Sequence, residues 1–397
     1  MSRLAFSPQR SVFASFVLLA ALTACHDSGS DERAPVAVVD HLALPEYWPT
    51  ATWQSASPQA HGFERGAFDT LNEDIAVELP YLTSLMIVRD GYVLHERYQK
   101  PLIVAGAVDE TTLHNLWSVT KSVSSLTLGA AVQQSDLAMT DLEVTADDVF
   151  AAQMTDIPLD DERRQIRLLD TLHMQSGLAW NEQKDLVSLR NPLLFSNSSC
   201  IDDDTVLLCS ILHFEFSHTP GTVWNYNTND SYLTGAFFYA LTSWSLRDYA
   251  DQYLFTPMGI AFEQDQWLNA PLSSTNDAYT YGGGFLELTT RDLTKLGMLA
   301  LYDGVWDGQQ LVNQEWLALS RTSIGDGLVA TFPGDGTETT PTNDDIDYGL
   351  QRWVESGPNF DGLDALSARG LGGQYILVFG DSGVVIALTC AYSLGQN

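Results

Sequence analysis

The stretch Trp117-Ser-Val-Thr-Lys-Ser-Val123 combines a hydroxyl and an amine at helical spacing. Ser118 and Lys121 are three residues apart, so in a helix their side chains lie on one face, one turn apart. A serine hydroxyl is a poor nucleophile until a base takes its proton, and a lysine in an apolar setting loses its charge more easily and can be that base. The apolar, small-residue-rich run 123–132 that follows predicts a helix buried through the middle of a domain, with its first turn at a cleft.

The same pair has a simpler structural explanation. The chain has four lysines, and chance alone produces the Ser-x-x-Lys spacing about 0.3 times in such a sequence. In that interpretation Ser118 is the N-cap of an exposed helix and Lys121 is solvated. The rest of the chain has to decide between the two interpretations.

Length and charge limit the classes of function. The 397 residues suffice for a large core, in one big domain or in two lobes. The 19 basic and 51 acidic residues give a net charge of −32. Such a negative field repels polyanions, so we expect no nucleic-acid partner, and it disfavours anionic substrates unless a local basic group offsets it.

The first 24 residues have the features of an export signal. Arg3 and Arg10 precede the apolar run Val12 to Leu22, which is too short to span a membrane and is typical of a signal peptide. Leu22-Thr-Ala-Cys25 resembles the lipobox of bacterial lipoproteins. That resemblance implies cleavage before Cys25 and lipidation of its thiol. Residue 26 is not Asp, so the inner-membrane retention signal is absent, and we expect an outer-membrane anchor facing the periplasm with 25–40 as a flexible tether.

The other cysteines predict one local crosslink. Cys200 and Cys209 flank an acidic turn in a chain that carries an export signal, so we expect a disulfide between them. Cys390 lies in an apolar run and is expected to be a buried small hydrophobe. No Cys or His pairs have zinc spacing, so the sequence predicts neither a metal nor a cofactor.

Hydrophobic periodicity places strands at both ends of the chain and helices between them. Asp90-Gly91 separates two apolar runs and predicts a β-hairpin. We therefore expect an α+β fold of three layers (α/β/α), with an antiparallel sheet built from both termini, flanked by helices, and an all-helical lobe inserted over roughly 134–280. The predicted helices cover 67–79, 167–174, 204–216, 230–241, 246–255 and 291–302, and the predicted strands cover 82–88, 92–98, 348–355, 374–379 and 384–390.

Five motifs follow one another along the chain. They are Ser118-Val-Thr-Lys121, the segment Arg167 to Leu178, Tyr226-Asn-Thr228 after Pro220-Gly221, Gly282-Gly-Gly284 followed by Thr289, and Ser367 to Tyr375. In this order they resemble the serine β-lactamase-like family, which includes penicillin-binding proteins, class C-type β-lactamases and esterases. The resemblance spans 82–390, so we assign 41–397 to one hydrolase domain of that family. The subgroup most similar in pattern is the 6-aminohexanoate-dimer hydrolase and carboxylesterase branch.

The resemblance implies roles for particular residues. Ser118 corresponds to the acylated nucleophile, and Lys121 and Tyr226 share the roles of base and acid. The backbone N–H groups of Ser118 and Leu371 correspond to the oxyanion donors, and Gly372 to a substrate-binding position beside them.

Three departures from the family pattern concern substrate binding. Thr228 replaces the usual Asn or Ser of the second motif. The third motif lacks Lys-Thr-Gly or His-x-Gly, so the cation that pairs with a substrate carboxylate is missing; Arg369 either stands in for it or is a solvated loop residue. Lys184 occupies the position where the amide-hydrolysing subgroup has a second active-site tyrosine.

The sequence therefore predicts a serine hydrolase that cleaves small carboxylic esters or amides through an acyl-enzyme on Ser118. One alternative is a β-lactamase or D-peptidase, and the missing third-motif cation argues against it. The second alternative is a non-catalytic penicillin-sensing or acyl-binding module on the same fold. We expect a small-molecule substrate and a membrane contact through the lipid anchor; the sequence does not predict the oligomeric state.

Overall fold

The computed structural model describes residues 42–101, 104–180, 208, 211–268, 280–324, 329–331, 338–339, 347–355, 360 and 363–391. The chain divides into two compact units. The first unit contains Met1–His114, Leu288–Gln309 and Glu355–Asn397, and the second contains Asn115–Glu287 and Gln310–Val354.

Within the described ranges we number the main elements in chain order. The helices are α1 (Ala67–Glu78), α2 (Val119–Gln134), α3 (Ala146–Phe150), α4 (Leu168–Leu172), α5 (Thr228–Thr242), α6 (Leu246–Ala250), α7 (Thr290–Leu301) and α8 (Gln314–Ser320). The strands are β1 (Leu82–Arg89), β2 (Tyr92–Tyr98), β3 (His114–Asn115), β4 (Val223–Asn225), β5 (Glu287–Leu288), β6 (Val305–Trp306), β7 (Gln309–Gln310), β8 (Val329–Thr331), β9 (Glu338–Thr339), β10 (Asp347–Tyr348), β11 (Trp353–Glu355), β12 (Ala365–Gly370), β13 (Gln374–Phe379) and β14 (Val384–Cys390).

The first unit is built on antiparallel strands in the order β12-β13-β14-β1-β2. Asp90 and Gly91 both have positive φ, at 53° and 83°, which is the geometry that a tight two-residue hairpin turn requires. The last strand lies beside the first, with Leu85 paired to Leu388. The sheet is therefore assembled from both ends of the chain, as the sequence predicted.

Helices cover both faces of this sheet. Leu71 and Ile75 of α1 pack in a cluster with Ile386 of β14 and other residues of that face. On α7, a Cβ atom at Gly297 would lie 2.5 Å from the side chain of Val385, the residue that precedes Ile386 in β14. Successive strand residues point to opposite faces, so α1 and α7 lie on opposite sides and the three-layer α+β prediction is confirmed.

The second unit is mainly helical, and α2 is its central element. Residues 119–131 of α2 are all buried, as the apolar run predicted. Gly129 is required there because a Cβ atom would lie 2.6 Å from the Trp316 ring of α8. The sequence did not predict α8, whose N-cap Asn313 accepts from the Trp316 backbone N–H. The lobe expected over 134–280 falls within the longer segment of this unit, and its bounds remain a prediction. It is not all-helical as predicted, because the strand β4 lies in this range and pairs with β8.

The single strand predicted over 348–355 is wrong. The structure has the short strands β10 and β11, which pair antiparallel with Tyr348 opposite Trp353. Gln351 has a φ of 54° in the turn between them, a conformation that non-glycine residues seldom adopt. Apolar patterning cannot report such a reversal, because tertiary contacts hold the turn. The strand β12, over 365–370, was also not predicted as a strand.

Several predicted features lie outside the described residues. These are Cys25 with its signal and tether, Lys184, Cys200, Cys209 and most of the loop 325–346. Of the helix predicted over 204–216, only 208 and 211–216 are described. In the ranges that the structure does describe, no helix has both the length and the apolarity to cross a membrane.

Candidate active site

Ser118 stands at the beginning of α2, in a backbone that is unusually constrained. The preceding residue, Trp117, has a φ of 48°, and its N–H donates to Asn115 Oδ1 at 3.0 Å. A bulky residue in this left-handed region is costly and is held by its surroundings. Although Ser118 occupies the N-cap position, its side chain makes no capping hydrogen bond. Its hydroxyl is therefore available for another partner.

That partner is Lys121, whose side chain is only 1% exposed. Its Nζ lies 3.0 Å from Ser118 Oγ, 3.1 Å from Thr228 Oγ1 and 3.0 Å from the Gly283 carbonyl oxygen. The interpretation of an exposed helix start with a solvated lysine is therefore wrong. Instead, the amine is enclosed among a hydroxyl from its own helix, a second hydroxyl from α5 and a backbone carbonyl.

Gly283 approaches the amine because it has no side chain. A Cβ atom there would lie 3.0 Å from Thr228 Cγ2 and 3.2 Å from the Thr228 carbonyl oxygen. One residue earlier, a Cβ at Gly282 would lie 2.6 Å from the Ser231 carbonyl oxygen. Ser124 Oγ of α2 donates to the Gly282 carbonyl at 2.8 Å and fixes this loop. The glycine run thus allows the loop to pack against both α2 and α5.

Tyr226 lies in the short segment between β4 and α5. Lys121 Nζ is 5.0 Å from the centroid of the Tyr226 ring, so the two side chains are in contact. The Trp353 ring stacks on Tyr226 at 5.6 Å with an interplanar angle of 24°. Trp224 and Tyr348 complete a cluster of aromatic side chains around the half-buried tyrosine. Tertiary packing therefore brings Ser118, Lys121, Tyr226 and Thr228 into one place.

Residues that the sequence analysis did not single out hold this segment in position. Asn227 is the N-cap of α5, and its side chain accepts from the Asn229 backbone N–H at 2.8 Å. The buried carboxylate of Asp230 accepts from Asn227 Nδ2 at 2.9 Å and from Ser176 Oγ at 2.5 Å. Asn225 Nδ2 donates to the Trp180 carbonyl at 3.0 Å. The signal that could have revealed them is Asn-x-Asn directly before an apolar helix, which is typical of a cap.

The arrangement can transfer a proton from a hydroxyl to an amine. The Gly283 carbonyl can only accept, so Lys121 donates one N–H to it in either charge state. A neutral amine has a lone pair left, and the Ser118 hydroxyl is at the right distance to donate to it. Thr228, as a hydroxyl, can either accept from the charged amine or donate to the neutral one.

The third motif lies in the first unit, at the end of β12. Arg369 forms an ion pair with the buried carboxylate of Glu355, with Nε 3.1 Å from Oε1, and Ser367 hydrogen bonds the same carboxylate. The positive charge of Arg369 is thus already matched by a carboxylate, which argues against a role in binding a substrate carboxylate. Leu371 and Gly372 lie in the following turn, half-buried. Their roles at an oxyanion or a substrate stay predictions.

Lys184, the further substrate-binding candidate, lies outside the described residues. Within the ranges that the structure describes, no group of three or more His, Cys, Asp or Glu side chains is arranged to hold a metal ion.

Comparison with known proteins places the chain in a family. The sequence profile of the family described as "Beta-lactamase" matches residues 83–393, which is most of the chain. The chain belongs to the beta-lactamase family. The members of this family are serine hydrolases, and the resemblance inferred from the five motifs is confirmed. No curated protein matches the chain in a comparison of sequences.

Solved structures share the fold at low sequence identity. One is a putative 6-aminohexanoate-dimer hydrolase from Bacillus anthracis, with a TM-score of 0.61, 17% identity and coverage of 86% of this chain and 82% of that one. The hydrolase EstCE1, described as having promiscuous acyltransferase activity, matches with a TM-score of 0.57 and 14% identity, and the match covers 80% of this chain and 91% of that one. A D-stereospecific amidohydrolase from Streptomyces matches with a TM-score of 0.54 and 15% identity, and the match covers 78% of this chain and 89% of that one. At these identities the beta-lactamase-family fold is what they share.

Proposed function

We propose that this member of the beta-lactamase family is a serine hydrolase that cleaves small, neutral carboxylic esters or amides through an acyl-enzyme on Ser118. The observation that supports this most directly is the buried Lys121 amine, 3.0 Å from the Ser118 hydroxyl. Burial of an amine costs free energy, and a hydrogen bond to a half-buried serine is a weak structural return for that cost. In the family, hydrolase chemistry is general, and structural relatives include an amidohydrolase and a hydrolase with acyltransferase activity.

The proposed reaction has two halves. Neutral Lys121 takes the Ser118 proton as Oγ attacks the carbonyl carbon, and the Ser118 backbone N–H stabilises the oxyanion that forms. Collapse of this intermediate breaks the ester or amide bond, and the departing alcohol or amine receives a proton through Lys121 and the Tyr226 hydroxyl. Water, losing a proton to the same groups, then attacks the acyl-enzyme. The acid is released and Ser118 is restored.

We propose a neutral substrate because of two observations. The Arg369 charge is matched by Glu355, so the third motif lacks a spare cation on that residue. The chain carries a net charge of −32, which repels anions over a distance of about 8 Å at physiological salt. A β-lactam or peptide carboxylate would meet this field without the lysine of the family's third motif. We therefore place ester or amide hydrolysis ahead of β-lactamase or D-peptidase activity.

We also propose that the enzyme is exported and anchored by a lipid on Cys25, facing the periplasm from the outer membrane. The support is the sequence of its first 25 residues. On this view the substrate is a small molecule that reaches the periplasm, and the net charge of −32 disfavours a nucleic acid.

A fluorophosphonate probe tests the catalytic assignment. We expect one label per chain, on Ser118, and we expect Lys121→Ala and Tyr226→Phe to slow labelling by about 10²–10⁴-fold. Lys100→Ala, which changes an exposed lysine, is the control and should label at the wild-type rate. Labelling at another serine, or wild-type rates in Lys121→Ala, would refute the Ser-Lys assignment.

A further inference from the structure

Arg352 is a buried arginine in the turn between β10 and β11. Its side chain is 5% exposed, and within the residues that the structure describes its Nη1 atom has no hydrogen-bond partner. Arg164 is similarly buried, at 3%, and shows the usual solution. It pairs with the Asp147 carboxylate and donates to the Met154 and Ile157 carbonyls. A buried guanidinium without a matching anion is unfavourable, so the contrast calls for an explanation.

The turn packs on the C-terminal end of α8. Gly349 N–H donates to the Arg352 carbonyl at 2.9 Å and closes the turn. A Cβ at Gly349 would lie 2.0 Å from the Ser320 carbonyl oxygen, so glycine is required for this approach. The next residue, Arg321, ends α8 as its C-cap. Two arginines from different elements therefore meet in the same region of the second unit.

Electrostatics at this region favours an added negative charge. Burial, helped by the positive charge of Arg321, lowers the pKa of Arg352 to about 9. Arg352 therefore stays protonated at neutral pH, beside a second cation and away from water. The chain has 51 acidic residues, yet within the described residues no carboxylate bonds to the Arg352 Nη1 atom. An anion from solution would remove both the repulsion and the unmatched charge.

We propose that Arg352, aided by the charge of Arg321, binds a small monovalent anion of the halide or short-carboxylate class. The burial of Arg352 excludes large anions. A guanidinium is weakly hydrated and presents a planar set of donors, so it suits an ion that sheds its water readily. Chloride from the medium and a short carboxylate, such as a reaction product, share this chemistry and are the two sources to distinguish.

The anion would brace the turn that supports the candidate site. Ser122 Oγ, one residue after Lys121, donates to the Gln351 carbonyl at 2.8 Å. On the other side of Arg352, Trp353 stacks on Tyr226. An anion that neutralises Arg352 and holds the turn therefore keeps Gln351 in contact with α2 and Trp353 in contact with Tyr226. This effect on activity rests on the proposed function, whereas binding and its effect on stability do not.

Thermal unfolding at constant ionic strength tests the binding. Sodium gluconate, whose anion is too large, is replaced stepwise by sodium chloride or sodium acetate. We expect a saturable rise in Tm of about 2 °C or more in the wild type with at least one of the two small anions. The rise should vanish in Arg352→Met and persist in Arg247→Gln, which changes a half-buried arginine paired with Asp248. Chloride alone, acetate alone or both identifies the anion.

A crystal soaked in bromide gives the direct readout, and it does not depend on the variant folding. We expect an anomalous peak in contact with Arg352 Nη1. If Arg352→Met does not fold, Arg352→Lys should lose or weaken that peak. A water at this position without an anomalous peak, together with no saturable Tm response to acetate, would overturn the proposal. An equal anion response in Arg352→Met and wild type would also overturn it. Loss of hydrolase activity in Ser118→Ala with an unchanged anion response would leave the anion site standing on its own.

Discussion

At the scale of single residues, Lys121 determines what the site can do. A buried charged amine donates to three acceptors, whereas a neutral amine donates two N–H groups and accepts one hydrogen bond on its lone pair. Within the described residues the hydrogen-bond partners of Lys121 include two hydroxyls and one carbonyl, and the Ser118 hydroxyl is the one of these three that a substrate could reach at the half-buried helix start. We interpret the pair as a single catalytic unit, with Tyr226 in contact through its ring.

Removal of Ser118 and Lys121 should therefore be strongly non-additive. We expect Ser118→Ala to abolish ester hydrolysis above background and Lys121→Ala to lower kcat by about 10²–10⁴-fold. The double variant should be little worse than Ser118→Ala alone, because the two groups act together. Steady-state kinetics with a p-nitrophenyl ester measures this. Independent, multiplicative losses in the double variant would contradict the assignment.

Thr228 gives a second test at this scale. Thr228→Val keeps the shape but removes the hydroxyl 3.1 Å from Lys121 Nζ. A hydrogen bond to a charged group contributes about 1.5–3 kcal/mol, so we expect kcat/KM to fall by about 10–100-fold. Thr228→Ser retains the hydroxyl and should restore most activity. Equal activity in the valine and serine variants would show that the hydroxyl has no part in the reaction.

At the scale of secondary-structure elements, the caps and turns position the site. The beginning of α5 is held by the Asn227 cap and the buried Asp230 carboxylate. Gly177 has a φ of 84°, and a Cβ there would lie 1.9 Å from the His218 carbonyl oxygen. Close backbone contacts and buried hydrogen bonds thus hold the segment after α4 against the beginning of α5. The position of Tyr226, directly before α5, is set by these contacts.

His173, the C-cap of α4, makes this element sensitive to acid. Burial, followed by the nearby charge of Arg167, lowers the pKa of His173 to about 4. Above pH 6.5 the imidazole is neutral in both states and has no effect. Between about pH 6.5 and 4, His173 is protonated in the unfolded chain but stays neutral in the folded protein, so the free energy of unfolding falls as pH falls.

We expect His173→Gln to flatten the pH dependence of the free energy of unfolding between pH 6.5 and 4. Urea unfolding at several pH values measures this dependence. Val77→Ala, which changes an exposed side chain that does not titrate, should keep the wild-type slope. Burial also lowers the pKa of His114 to about 4, so part of the slope should remain. An unchanged slope in His173→Gln would contradict the prediction.

At the scale of the whole molecule, the net charge and the predicted membrane attachment bear on which substrates can reach the site. A charge of −32 acts on every anionic ligand, and the carboxylate-binding cation of the family's third motif is replaced by an Arg369 that pairs with Glu355. The first 25 residues predict that this charged body is held at a membrane. The charge acts on substrates before chemistry begins, and the predicted attachment would restrict them to molecules present at that membrane.

We expect neutral p-nitrophenyl esters to be hydrolysed with a kcat/KM at least about 100-fold above that for nitrocefin, which carries a carboxylate. The reason is long-range repulsion without a compensating local cation. Raising the salt concentration should narrow the difference, because it screens the field. Comparable values for the two substrates at low salt would overturn the preference and restore Arg369 as a carboxylate-binding residue.

The lipid anchor is tested by substitution of the predicted acceptor. Wild-type protein expressed in a bacterial host should incorporate labelled palmitate and partition into detergent. Cys25→Ser should lose the label and either remain uncleaved or appear in the aqueous phase. Cys390→Ser, which changes a half-buried cysteine at the end of β14, serves as the control. Palmitate labelling that persists in Cys25→Ser would exclude the anchor.

The sequence by itself determined the features that depend on local spacing. Asp90-Gly91 specified a hairpin because a two-residue turn needs φ values that these residues tolerate. The strands 374–379 and 384–390 followed from apolar runs, and the helix predicted over 291–302 corresponds to α7. The Ser118–Lys121 pair followed from helical periodicity. Each of these depends on neighbours within a few residues, and pattern therefore suffices.

Tertiary structure alone decided which side chains are buried and which charges are paired. The sequence left Lys121 either solvated or enclosed, and its partners Thr228 and Gly283 are more than 100 residues away. Arg369 had two open interpretations until Glu355 was found beside it. The reversal at Gln351 exists because the turn packs on the end of α8. Contacts of this kind are long-range, and their energies depend on burial that no local pattern records.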